Sequence, residues 1–394
     1  RPDAPILAFW RVVLSAVVFG IPSLLMGATL PIMFKFLRSH LVDRSRIISR
    51  LYTANTIGAA FAMLTGVYIV LPTLGLSGSI RLAALSCLMI ALYTFERSKT
   101  LPVAAKNNTV EVDGLKTDCS ILPPREVRHR ECTGFAALLL LTVGGGVSLA
   151  LEIVNIHMLE IIVGNSVYTF GLILTTFLFG IGLGSACYGR LHRLLTDPVL
   201  AAIAQLGIFF SIVISAFQWD GLATYLGNFG FMQEFVYLGF GARELIRGVI
   251  CSIAILPAAF FIGIGYPATM ALASDWLKKS GEATGLGIAS LCNMLGNITG
   301  ALLTAFVFLD WIGSNRLLFG LAVISLLLAL YMTWVGRVAW LLRFNDHSGR
   351  IRFAGAAITL TIIAALWGYP AQWNVTILTN GANLYFANLK YGEI

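Results

Sequence analysis

Charge is what this chain has least of. Asp, Glu, Lys and Arg make up only 12% of its 394 residues, against 58% of hydrophobic types, whereas an ordinary soluble domain is about a quarter charged. That imbalance excludes both a water-soluble globular chain and a disordered one. Cysteine is sparse too, with six residues and no Cys-x-x-Cys spacing, which excludes a disulfide-built secreted module. Cys87, Cys187, Cys251 and Cys292 lie inside apolar runs, where a small soft side chain packs well. Cys119, His129 and Cys132 share a polar stretch, but three irregularly spaced ligands do not make a zinc site, and no metal is expected. No segment is dense in both basic and aromatic residues, so the net charge of +8 is not the footprint of nucleic-acid binding. No removable signal peptide is recognisable and the sequence opens on Arg1 rather than methionine, so it reads as a piece of a longer chain.

Apolar length is what the chain has in abundance. A spanning helix needs about 20 mostly apolar residues. Ten segments qualify: about 8–34, 49–73, 79–95, 134–163, 166–189, 197–217, 244–273, 283–309, 315–336 and 351–369. Their glycine-rich texture, as in Gly144-Gly-Gly146 and Gly180-Ile-Gly-Leu-Gly184, disfavours a soluble helix but lets helices approach closely in lipid. The expected fold is an all-α polytopic membrane protein of about ten transmembrane helices.

Cytoplasmic loops retain Lys and Arg. Of the 27 cations, 20 fall in alternate connections, within Lys35–Arg50, Arg97–Arg130, Arg190–Arg193, Lys278–Lys279 and Arg337–Arg352. This pattern puts both Arg1 and Ile394 outside the cytoplasm.

The chain also repeats itself. Gly27-Ala-Thr-Leu-Pro31 returns as Gly263-Ile-Gly-Tyr-Pro267, Asn55-Thr-Ile-Gly58 as Asn293-Met-Leu-Gly296, Gly75 as Gly313, Arg11 as Arg247 and Arg81 as Arg316, at offsets of 235 to 238. Segments one to three thereby match segments seven to nine, six helices on and in the same orientation. A parallel repeat of six helices is the arrangement of major-facilitator transporters. Residues 1–95 then form the last three helices of a first half, 96–133 a polar cytoplasmic linker, 134–340 a second six-helix half and 341–372 an extra transmembrane helix. Three helices upstream of Arg1 are expected to belong to the same core.

Several linked motifs resemble the membrane region of the bacterial fused major-facilitator-like/spermidine-synthase-like proteins. They are Ile162-Val-Gly-Asn-Ser-Val-Tyr-Thr-Phe-Gly171, Phe177-Leu-Phe-Gly-Ile-Gly-Leu-Gly-Ser185, Gly27-Ala-Thr-Leu-Pro31 and Tyr52-Thr-Ala-Asn-Thr-Ile-Gly58, the last two with their second copies. The resemblance implies a bundle in the bacterial inner membrane that anchors or feeds a downstream aminopropyltransferase-like domain. That domain would make polyamines with decarboxylated S-adenosylmethionine as cofactor. Residues 373–394 resemble its opening, a β-rich start in which Val375, Ile377, Leu384 and Phe386 alternate around a hairpin turn at Asn380-Gly381. No catalytic residue falls inside the chain. The family pattern Glu-x-x-Trp-x-Arg reads here Glu152-Ile-Val-Asn155-Ile-His157, and a guanidinium and an imidazole are not interchangeable.

Ionisable and polar groups inside spans mark candidate sites. The fourth segment carries Glu152, Asn155, His157 and Glu160. At about 100° per residue, Glu152, Asn155 and Glu160 share a face that His157 does not fully join. Carboxylates there suit a polyamine or another small cation; against this, Glu160 reaches outer water and Glu152 pairs with a structural Arg. Arg11 and Arg247 sit near outer ends of equivalent helices, with Glu244 one turn before Arg247; snorkelling or a helical ion pair explains them. Asn55 and Asn293 neighbour Gly58 and Gly296, which suits interhelical hydrogen bonding at a close glycine contact. The aromatic stretch Phe217–Phe240 holds no Lys or Arg and suits an interfacial helix or a docking surface. Three functions compete: membrane anchor of a spermidine-synthase-like enzyme, polyamine or small-cation transporter, and non-catalytic scaffold. Expected partners are the lipid bilayer and other membrane subunits or a second copy, with no nucleic acid.

Overall fold

The computed structural model describes residues 44–100, 124–228, 239–277, 281–335, 366–370 and 372–379, with isolated positions at 10–37 and 362–363. Among these residues every regular element is helical and none is a strand. We number the α-helices α1 (Arg44–Thr65), α2 (Leu71–Thr100), α3 (Pro124–Val163), α4 (Val167–Leu191), α5 (Asp197–Asn228), α6 (Phe240–Trp276), α7 (Glu282–Leu303), α8 (Leu309–Val335) and α9 (Val375–Leu378). Among the described residues six helical runs are long and apolar enough to cross a membrane, and the chain is an all-α membrane protein.

Two of those runs are too long for one crossing. Ser45–Lys99 has 55 residues and Thr284–Val335 has 52. At 1.5 Å per residue each would measure about 80 Å, more than twice the hydrocarbon core. Each is broken by the same local device. A π-helical turn, Gly66–Val70 or Thr304–Phe308, is followed by a glycine with positive φ, Gly75 at 65° or Gly313 at 75°. Only glycine adopts that backbone without a Cβ penalty. Both the turn and the glycine recur 238 positions apart.

Among the described helices the strongest packing is α4 against α6, α3 against α7, α5 against α6, α1 against α4, and α5 against α8. Lipid tails are as apolar as leucine, so close fit rather than water exclusion holds such helices together. Glycine supplies the fit. A Cβ on Gly296 or Gly300 of α7 would run into the backbone of Thr142 or Gly146 on α3, and one on Gly184 of α4 into the backbone of Phe260 on α6. The α1–α4 seam is bound by reciprocal bonds, Ser49 Oγ to the Ser185 carbonyl at 2.7 Å and Ser185 Oγ to the Ser49 carbonyl at 3.3 Å. Ser166 starts α4 by accepting from the Thr169 amide at 3.1 Å, the usual office of a serine N-cap.

Three segments differ from the sequence expectation. The end of the polar linker is helical, because α3 begins at Pro124, a residue suited to a first helical turn; residues 101–123 lie outside the described residues. The aromatic stretch after residue 217 is not a separate interfacial helix as far as Asn228, because α5 runs through it with Trp219 and Leu226 fully buried. The first arm of the expected hairpin is instead a helical turn, α9, in which Asn374 Oδ1 accepts from the Ile377 amide at 3.3 Å. Leu378 and Ile377 join the main apolar core, and this packing outweighs the β-branched alternation. Asn380–Ile394, including the expected hairpin turn, lie outside the described residues.

The segment before α9 is tied to the bundle. Trp373 Nε1 donates to the Ala216 carbonyl at 3.0 Å, and Asn315 Nδ2 to the Pro370 carbonyl at 3.0 Å. Asn315 stands near the start of α8, which ties Pro370 to that end of the helix.

Candidate functional site

On α3 the residues Gly145, Ser148 and Glu152 recur at the three- and four-residue spacing that keeps one helical face. That face borders a cavity of about 210 Å³ enclosed by α1, α3, α4, α5, α6 and α7. Its apolar wall includes Phe177, Ile181, Ile208 and Ile262; its polar groups are Glu152, Ser148, Gln205, Thr269, Asn293, Asn297, Tyr52 and Tyr266. An engineered apolar cavity of roughly 150 Å³ already takes up benzene, so this space is large enough for a small organic molecule. Glu152 is the one charged residue among the described lining residues.

The amides gather at one level. Asn293 and Asn297, one turn apart on α7, bring both Oδ1 atoms to 2.7 Å from where a Cβ on Gly145 would stand, and Gln205 Nε2 lies 3.3 Å from the same point on Gly144. The paired glycines thus leave the room that the amides occupy. Gln205 is only 6% exposed, and neither its Oε1 nor Asn297 Oδ1 has a hydrogen-bond partner among the described residues. A buried acceptor left open costs about 1–3 kcal/mol. Gly145 and Glu152 are seven residues apart, about 10 Å along the axis. The backward tilt of helical side chains leans the carboxylate toward the amides.

Contacts between α1 and α6 frame the cavity. Tyr52 and Tyr266 stack with ring centroids 4.2 Å apart. Sixteen residues along from Tyr52, Tyr68 in the first π-helical turn donates to Glu244 Oε2 at 2.7 Å, while Arg247 binds the other carboxylate oxygen. Tyr68, Tyr168 and Phe240 cluster around this point.

The sequence candidates are dispersed. Glu152 lines the cavity. Asn155, one turn on, is 3% exposed but does not line it, His157 is exposed and Glu160 half-buried. Glu244 and Arg247 form the ion pair their spacing suggests, whereas Arg11 lies outside the described residues. Asn293 reaches the cavity while its counterpart Asn55 is exposed. Among the described residues Gly296 abuts a neighbouring backbone and Gly58 has nothing within 4 Å of its Cβ position, so the described residues surround the two copies of the motif differently.

Sequence reasoning missed Asn297, Gln205, Tyr52 and Tyr266. Asn297 was within reach as the helical neighbour of Asn293, and Gln205 as a lone amide in an apolar span; the tyrosine stack has no local signal. The described lining residues include no glycine-rich turn at a helix N-terminus and no acid paired with one, so they do not fit an adenosyl cofactor. No family model, curated protein or solved structure matches the chain.

Proposed function

We propose that this chain is a major-facilitator-type bundle of ten spans that binds a small organic cation in its central cavity, for passage across the bacterial inner membrane or for delivery to a downstream domain. The observation that carries the reading is Glu152, a carboxylate facing a 210 Å³ cavity with no Lys, Arg or His among its described lining residues. A lone intramembrane carboxylate is costly unless it meets a cation. The recurrence of the π-helical turn and the positive-φ glycine at a common offset supports a parallel repeat. The contact between Asn315 and Pro370 supports a tenth span between them, and the cation pattern supports an exoplasmic C-terminus. In such a bundle the substrate site lies near mid-membrane between the halves, as Glu152 does within its span. The residue resemblance makes a spermidine-synthase-like domain the recipient.

The test is uptake of labelled small organic amines into proteoliposomes holding the full chain. Uptake is expected, and Glu152→Gln should reduce it at least about tenfold. Equal uptake by the variant, or none by either protein, refutes the reading.

A further inference from the structure

We infer that the cavity selects a singly charged amine whose far end is a neutral hydrogen-bonding group, rather than a diamine or a polyamine. The inference rests on the cation-binding reading above and narrows it. One carboxylate, Glu152, stands at one end of the described lining, and three neutral amides, Gln205, Asn293 and Asn297, stand at the other. One ammonium pairs with Glu152. A second would have to be stripped of water and set against amide oxygens, leaving a net positive charge in a low-dielectric site, which is unfavourable. A hydroxyl or amide at the same place meets the neutral amides of Gln205, Asn293 and Asn297 without that charge. Glu160 of the same helix does not change the count, since it is not part of the described lining. Apolar side chains such as Phe177 and Ile262 suit a short methylene chain between the two ends.

4-Amino-1-butanol and 1,4-diaminobutane are a matched pair, equal in length and differing in the far group alone. Binding of each to the full chain in lipid nanodiscs is measured by calorimetry. The amino alcohol is expected to bind at least about tenfold more tightly, and Glu152→Gln to abolish that binding. Asn297→Asp, close in shape but adding a carboxylate at the amide end, should shift the preference toward the diamine by about tenfold. A role of Asn297 in packing alone would not produce that reversal. Tighter binding of 1,4-diaminobutane by the unaltered chain, still dependent on Glu152, overturns the monoamine inference and leaves the cation reading standing. Binding of neither amine overturns both.

Discussion

Replacing Gly296 with Ala tests whether the close approach of α3 and α7 builds the cavity. The added methyl group would meet the Thr142 carbonyl and backbone, atoms that cannot rotate away, so the helices must part. Overpacking of this kind costs about 1–3 kcal/mol, offset by up to about 1 kcal/mol because Ala favours helix over Gly. The net expectation is a loss of about 1–2 kcal/mol. Gly58, the sequence counterpart of Gly296, has nothing within 4 Å of its Cβ position among the described residues, so Gly58→Ala should lie between neutral and about 1 kcal/mol more stable. Equilibrium unfolding of the full chain in mixed micelles titrated with dodecyl sulfate, followed by circular dichroism, compares the two. Parting α3 from α7 also moves Asn293 and Asn297 away from Gly145, so amine binding should weaken in the first variant and persist in the second. If both variants change stability by the same amount within about 0.5 kcal/mol, the backbone contact is not what holds these helices.

Tyr68→Phe removes the donor to the Glu244 carboxylate, and a hydrogen bond to a charged group contributes about 1.5–3 kcal/mol; an unchanged unfolding midpoint would show that the Arg247 pair alone secures that end. Trp219 is fully buried and lies against Trp373, so Trp219→Ala should cost about 3–5 kcal/mol. Trp373→Phe should cost only about 1 kcal/mol, for the bond to the Ala216 carbonyl. Equal losses in the same unfolding assay would contradict this order. Thr376→Cys and native Cys132, both exposed positions, should react with a membrane-impermeant maleimide from opposite faces of vesicles; labelling from one face would overturn the count of spans between them.

The helices were legible because their signals are local. A run of apolar residues is visible without knowing what it touches, and Gly75 and Gly313 announce the breaks in the two long runs as a matched pair. The Arg247–Glu244 pair was legible for the same reason, since residues three apart on a helix are neighbours. Segment ends were less so: Trp219 reads as an interfacial aromatic and is in fact core, because Trp373, more than a hundred residues away, covers it. Val375 and Ile377 read as strand and form a helical turn, because an Asn cap and the flank of α5 favour it.

The candidate site was half legible. Glu152 stood out as an acid in lipid, but the face it shares with Asn155 and Glu160 is not the face of the cavity along its whole length. Periodicity says which residues lie on one side of a helix; it does not say where along that side the neighbouring helix closes in. Sequence alone therefore determined that this is a helical membrane chain, which of its runs are apolar and where its breaks recur, since burial in lipid and backbone freedom depend on each residue and its near neighbours. Only the tertiary structure decided that Glu152, Gln205, Asn293 and Asn297 share one cavity, because that meeting depends on how three helices are rotated and how closely glycine lets their backbones approach.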